Sequence, residues 1–462
     1  MPPAVRIVLV AACAGALLAT AVQTQAPARP AWLEPYRETA ARLVQAATGD
    51  QFAWRRLAEL TDTFGHRLSG SENLERAVVW AVDTMRRDGL ENVRTEPVMV
   101  PRWVRGRESA EIVFPPKHSI EMLSLGGSIA TPPGGLEAEV VVVNAFEELR
   151  ARAADIRGRI VLFNAPFTTY SDTVAYRTGG ARAASQLGAV ASLVRAVGPT
   201  GLRTPHTGSV QYGQGIPPIP AASISAEDAD RIARLTSRGV RVRVRLTLEA
   251  RTEPDVESAN VVGELRGRER PEEIVLLGCH YDSWDVGTGA SDDAVGCIVT
   301  WETARLLATL GIRPRRTVRI VLFTNEENGL RGATAYAAKH AGHAGNHVFA
   351  LESDSGVFEP ASLGFSGSAA ARNIVRDIAT LLAPLGLADI VAGGGGADIG
   401  PIAQAGNAPM MAYLGNPSRY FQIHHTHADT VERIAPEEVS KAAAAIAVMA
   451  YVIAEMPDRL PR

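Results

Sequence analysis

The chain has 462 residues, 46% of them hydrophobic and 21% charged, with a formal net charge of −3. That length asks for two or three domains, and the composition supports ordinary folded cores. No block of like charge occurs, so neither nucleic acid nor an anionic membrane surface is an indicated partner.

At the N-terminus, Arg6 precedes an apolar run from Ile7 to Val22, and small and polar residues follow to Ala26. Charge, apolar core and small-residue cleavage site in that order predict a secretory signal peptide over 1–26. The mature chain is then secreted or periplasmic, with no stable membrane insertion. The apolar run, about 16 residues, is short for a spanning helix. Val10 to Cys13 loosely matches a lipid-attachment box, but the run continues past Cys13, which argues against cleavage there. Beyond this segment only Cys279 and Cys297 remain, too few for a disulfide framework. Stability is expected to rest on the core and on bound metal.

Residues 32–88 read as helical. Ser71 followed by Glu72 makes an N-cap, and Ala77, Val78, Ala81, Val82 and Met85 recur at helical spacing behind it. From Val93 to Phe114 the pattern turns to strand, with Val98, Val100 and Val104 alternating with other residues. Glycine and proline punctuation from Leu125 to Gly135 then marks a boundary. Short strands at 139–143, 159–163, 191–194 and 240–248, with a helix near 179–187, predict a small domain over 126–249 inserted into a larger one (27–125 and 250–462). After Asn260 the pattern is α/β: strands 273–278, 318–324 and 347–352, helices 294–310 and 331–340. Such alternation implies a mainly parallel sheet, whose sites form at the carboxyl ends of the strands.

The chemistry-bearing residues fall at those ends. His280-Tyr281-Asp282 closes the first strand, and Asp292-Asp293 follows in a glycine-rich loop. Glu326-Glu327 follows the second strand, Glu352-Ser353-Asp354 the third, and His424-His425-Thr426-His427 lies near the C-terminus. Each alone has a plain explanation: an aspartate in a glycine-rich loop is usually a turn residue, and a Glu-Glu pair is usually solvated. Their joint placement is different. Zinc takes imidazole nitrogen and carboxylate oxygen, and catalytic sites leave a position to water. Two such ions can polarise a carbonyl and activate a shared water. Cys279 points to the opposite face of its strand from His280 and is not needed.

The segments His280–Gly287, Gly289–Asp293, Asn325–Glu327, Glu352–Asp354 and His425–Thr430 resemble the co-catalytic zinc metallopeptidase family of aminopeptidase Y and glutamate carboxypeptidase. The similarity extends to Phe64–Ser71 and covers nearly the whole mature chain. It implies a zinc-exopeptidase fold, an α/β/α sandwich (phosphorylase/hydrolase-like) with a mostly parallel mixed sheet, and gives 126–249 the character of a protease-associated domain. It implies two zinc ions per chain: His280 and Asp354 on one, Glu327 and His425 on the other, Asp292 bridging. Glu326 becomes the general base, although spacing alone does not distinguish Glu326 from Glu327. Asp282 orients His280 through its second ring nitrogen, and the Asp292–Asp293 peptide is expected to be cis. Asp398, Arg419 and Tyr420 are candidates for binding the ends of a substrate.

The activity so implied is hydrolysis of short peptides by a dipeptidase or exopeptidase, with a homodimer as the assembly. An aminopeptidase of the same family is the nearest alternative. Zinc deacylases share the carboxylate pattern but carry their extra domain after the Glu-Glu pair, whereas here the insertion precedes His280. Glutaminyl cyclases use one zinc, and a receptor-like relative would have lost ligands that are intact here.

Overall fold

The computed structural model describes residues 30–462, so the predicted signal peptide and Cys13 lie outside it. Three amphipathic helices lead, α1 (Glu34–Thr48), α2 (Phe52–Phe64) and α3 (Glu72–Arg87), followed by the long strand β1 (Glu91–Val104). Ser71 caps α3 as expected, its hydroxyl accepting the Leu74 amide. Next come β2 (Glu108–Phe114), β3 (His118–Ile120), β4 (Met122–Ser124), β5 (Leu136–Val143), α4 (Phe146–Ala151) and β6 (Ile160–Phe163). They continue into α5 (Tyr170–Gln186), β7 (Ala191–Arg195), β8 (Ala221–Ile224), α6 (Ala226–Ser237) and β9 (Arg243–Leu248). The remainder begins with β10 (Arg251–Leu265), β11 (Arg270–His280), α7 (Val295–Thr309), β12 (Arg316–Phe323), α8 (Arg331–His340) and β13 (His347–Ser353). It ends with β14 (Ser362–Ser366), α9 (Ala369–Ala379), β15 (Ile390–Ala392), α10 (Gly400–Gly406), β16 (Met410–Leu414), α11 (Pro417–Ile423) and α12 (Pro436–Glu455).

These strands form two mixed eight-stranded sheets. The first runs β1-β10-β12-β11-β13-β16-β14-β15. Its centre, β12, β11, β13 and β16, is parallel, and antiparallel neighbours flank it. The second runs β3-β2-β9-β5-β6-β7-β8-β4. Its first strand in the chain is β2, so residues 108–124 belong to the second sheet, upstream of the expected boundary at 126.

Alternate residues of β11 enter different apolar clusters, as a strand covered on both faces requires. Val275, Leu277 and Cys279 pack with residues of α7 and α12, whereas Ile274 and Leu276 pack with Ala333 and Tyr336 of α8 and Ile402 of α10. Ala442 to Ala450 are all fully buried, so α12 is apolar all round because it runs through the core. Among the described residues no helix is long and apolar enough to cross a membrane. The two cysteines, too few for a framework, nevertheless form one disulfide, Cys279–Cys297, between β11 and the first turn of α7. Closing an 18-residue separation of this kind contributes about 3 kcal/mol on a chain-entropy basis.

Because β11, β12 and β13 are parallel and in register, their carboxyl ends lie along one edge. His280 ends β11, Glu326 and Glu327 follow β12 by a few residues, and Asp354 follows β13 directly. The fold thus delivers to one edge residues that lie up to 74 positions apart in sequence, from His280 to Asp354.

Candidate metal centre

Asp292 stands at the middle of the cluster. Its Oδ1 lies 3.1 Å from His280 Nε2, and its Oδ2 lies 3.0 Å from His425 Nε2. His280 Nε2 is also 3.3 Å from Asp354 Oδ1, and His425 Nε2 is 3.0 Å from Glu327 Oε2. Both imidazole rings therefore turn their Nε2 atoms towards pairs of carboxylates. Asp292 Oδ2 and Glu327 Oε1 are buried without a hydrogen bond, although nitrogen and oxygen atoms surround them. Two overlapping donor groups, His280–Asp292–Asp354 and Asp292–His424–His425, have their atoms close enough to hold a cation, and they share Asp292. Imidazoles and carboxylates gathered with lone pairs unpartnered fit zinc.

The remaining ring nitrogens set the tautomers. His280 Nδ1 lies 3.0 Å from the Asp282 main-chain carbonyl, and His425 Nδ1 lies 3.2 Å from the Thr207 carbonyl. Where Nδ1 donates to these carbonyls, the Nε2 lone pair is left free to bind a metal; at His425 the Arg177 Nη1 also lies 3.3 Å from Nδ1. The expected role of Asp282 is thereby corrected. Its carboxylate is 4.0 Å from His280 Nδ1 and accepts instead the amides of Glu326 (3.0 Å) and Glu327 (3.4 Å) and the Ser69 hydroxyl (3.0 Å). Asp282 orients the histidine through its backbone and holds the Glu326-Glu327 turn through its side chain.

The Asp292 loop is held as firmly. Asp429 accepts the amides of Ser291 (2.7 Å) and Asp292 (3.1 Å), and the Asp292–Asp293 peptide is cis. Arg67, fully buried, donates to the carbonyls of Tyr281, Thr288 and Gly289 and so ties down the segment between His280 and Asp292. Asn325 and His425 both take left-handed backbone, at φ 64° and 60°, a crowded region for a residue with a β-carbon.

Burial opposes charge on every group here, and the neighbours then decide. Burial would lower His425, but Glu327 and Asp292 raise it to about 10; His280 is likewise raised by Asp354 and Asp292 despite burial. Burial pushes Glu327 up to about 7, with Asp292 adding to it, and holds Glu326 well above the usual carboxylate range. Asp292 alone falls well below its ordinary value, because His280 and His425 outweigh its burial. The carboxylates compete for positive charge, which is the environment a divalent cation satisfies while displacing protons from the histidines.

A cavity of about 1180 Å³ opens over the cluster. His280, Asp292, Glu326, Glu327, Asp354 and His425 line one side, with Tyr420 beside them, and Tyr170, Val174, Arg177 and Val210 from the second sheet's part of the chain line another. Tyr420 is nearly buried, and its phenol is held well above its ordinary range by burial and the surrounding carboxylates, so it keeps its proton. Arg419 is not part of this wall. It pairs with Glu438 of α12, and its guanidinium lies 4.4 Å from the Phe358 ring. Asp398 is fully buried with neither carboxylate oxygen hydrogen-bonded, and burial together with Glu352 and Glu326 holds it well above the usual carboxylate range. Its own amide and that of Ile399 are taken by Glu352.

Three further contributors have no role assigned from the sequence: His424, which enters only as part of the histidine cluster, and Arg177 and Thr207, which carry no signal at all. His424 stacks on His425 (centroids 3.6 Å apart) and brings Nε2 to 3.5 Å from Asp292 Oδ2. Arg177 and Thr207 reach His425 from the second sheet's side. Only the adjacency of His424 to His425 could have suggested one of them.

Residues 260–450 match the model of peptidase family M28. Carboxypeptidase Q of Homo sapiens is 45% identical over 410 residues, 89% of this chain and 87% of that protein. The crystal structure of a peptidase M28 precursor from Shewanella amazonensis SB2B aligns with a TM-score of 0.88 at 34% identity, covering 93% of this chain and 98% of that one. A zinc aminopeptidase from Bacillus subtilis shares the fold, with a TM-score of 0.67 at 22% identity over 88% of this chain and 96% of its own.

Proposed function

The chain belongs to peptidase family M28 and is a metallopeptidase, and from that premise we propose that it removes residues from the ends of short peptides using two zinc ions. The observation that carries the reading is Asp292, whose two oxygens face His280 at 3.1 Å and His425 at 3.0 Å. A carboxylate so placed can serve two ions at once. His280 and Asp354 would complete one site, and Glu327 and His425 the other. Zinc held there would supply Lewis acidity that polarises the scissile carbonyl and acidifies water.

Glu326 takes the proton from the attacking water and returns it to the leaving amine. Its burial supports both steps, because a carboxyl raised above its usual range holds a proton long enough to deliver it. Asp282 keeps Glu326 in place through the 3.0 Å bond to its amide. The Tyr420 phenol, still protonated, faces the cavity and is our candidate for donating to the developing oxyanion.

The same reading treats the first sheet and its helices as an α/β/α catalytic unit. It treats roughly residues 107–250 as an inserted, protease-associated-like unit; the pairing of β2 with β9 favours that wider span over 126–249. Export after removal of residues 1–26, which rests on the charge, apolar run and small residues there, and pairing of two copies, which rests on the resemblance, complete it. Dipeptide hydrolysis by zinc-reconstituted protein, with elemental analysis of the same sample, tests the proposal. No more than one tightly bound zinc per chain, or no hydrolysis of any unblocked dipeptide, would sink it.

A further inference from the structure

Thr207 lies on the second sheet's side of the molecule, 218 residues from His425 in sequence, yet the two are joined by a reciprocal pair of hydrogen bonds. The Thr207 amide donates to the His425 carbonyl (2.9 Å), and the Thr207 carbonyl faces His425 Nδ1 at 3.2 Å. The same carbonyl accepts Arg177 Nη1 at 3.2 Å, and Arg177 Nη2 donates to the Tyr170 hydroxyl at 2.6 Å. Arg177 is buried, 4% exposed, and has no carboxylate partner among the described residues. A buried guanidinium is costly without ionic compensation, so it is expected where its hydrogen bonds fix something specific. Here they fix the carbonyl that receives His425. Gly208 follows, at φ +137°, and a β-carbon there would sit 2.3 Å from Arg177 Cζ, so the loop closes directly on the guanidinium. On another side of His425, the Trp284 ring packs at 5.7 Å from the imidazole and against Gly126, where a β-carbon would meet it at 2.1 Å.

The geometry points to residues 205–208, braced by Arg177, as a positioning element of the metal centre: with Arg177 Nη1 3.3 Å and the Thr207 carbonyl 3.2 Å from His425 Nδ1, this part of the chain sets the direction of His425 and is not merely a cover over the cavity. The inference rests on His425 being a ligand, as proposed above. Groups that orient a metal-bound histidine typically contribute about 10–100-fold to metal affinity. Arg177→Met and, independently, Gly208→Ala are therefore expected to weaken one of the two zinc ions about 10–100-fold in chelator competition, and to leave the other at native affinity. Both substitutions are expected to lower the thermal midpoint of the metal-free protein as well, so the readout is the difference in affinity between the two ions within one variant, which general destabilisation would not produce.

Amide exchange on the native chain gives a second readout, because zinc loading that fixes His425 must slow exchange of the Thr207 amide bonded to it. This measurement decides the matter should either substitution prevent folding. A native chain that binds two zinc ions while Thr207 exchange is indifferent to zinc overturns the inference, as do folded variants that bind both ions at native affinity. A native chain that binds fewer than two ions would instead overturn the function proposed above.

Discussion

Glu326→Gln keeps the shape of the side chain and the amide bond to Asp282 but removes the group that accepts a proton. The expected result is two zinc ions retained and hydrolysis reduced about 10²–10⁴-fold; near-native turnover would place the base elsewhere. Asp292→Ala removes an oxygen from both sides of the cluster, so it should lose both metals, whereas Asp354→Ala should lose one, as elemental analysis of purified variants will show. Arg419→Ala removes a half-exposed ion pair with Glu438. It should lower stability by less than about 1 kcal/mol and leave KM for dipeptides unchanged; a raised KM would return Arg419 to the substrate. At this scale the sequence was most informative where chemistry and strand ends coincide: His280, Asp292, Glu327, Asp354 and His425 do converge. It was least informative where a side chain chooses between partners. Nothing local tells that Arg419 turns to Glu438, 19 residues on, or that Asp282 uses its carbonyl for His280 and its carboxylate for amides of the turn after β12.

Elements were legible wherever periodicity was clean. The helices α7 and α8 and the strands β11 to β13 sit within a few residues of their expected bounds. The division of the chain was read less well, because glycine and proline between 125 and 135 mark a turn, and a turn is not a boundary. That turn connects β4 to β5 inside the second sheet, and what recruits β2 to the same sheet is its pairing with β9, Glu108 opposite Leu248, a partner no local pattern announces. Contacts between elements also make a pH-dependent prediction. Glu96 of β1 meets Lys339 and His340 of α8, with His340 Nε2 at 3.2 Å from both carboxylate oxygens. Burial would raise Glu96, but His340, Lys339 and Arg94 reverse this and hold it at about 2. A carboxyl lowered on folding stabilises the native state above its unfolded value, near 4.5, and that contribution disappears as pH falls towards 2. Glu96→Gln should therefore cost about 1.5–3 kcal/mol at pH 7, a deficit that shrinks as pH drops below about 4.5. Chemical denaturation of both proteins from pH 7 down to about pH 2.5 measures it, and a difference that stays constant below pH 4.5 would refute the pairing.

At the scale of the whole molecule, the placement of the second sheet limits what can reach the metal centre. Tyr170, Val174, Arg177 and Val210 wall one side of the cavity, and Tyr170 stacks on Phe421 of α11 at 5.3 Å, so the two parts of the chain touch across the opening. The cavity, about 1180 Å³ and open to solvent on one side, is at the upper end of what a small-molecule pocket holds. On the proposed reading these walls limit substrate length, and the charged ends of a short peptide would be accommodated between them. With Arg419 paired to Glu438, hydrogen-bond donors such as Tyr420 and the metal centre itself are the proposed partners of those ends. The expected outcome of a length series is highest kcat/KM for dipeptides and tripeptides, falling steeply as residues are added. Blocking one terminus should impair turnover more than blocking the other, and the more sensitive end identifies which one is trimmed. Cleavage of a long peptide blocked at both ends, at a rate near that of a free dipeptide, would mean that the walls part readily, and the assignment as an end-trimming enzyme would fall.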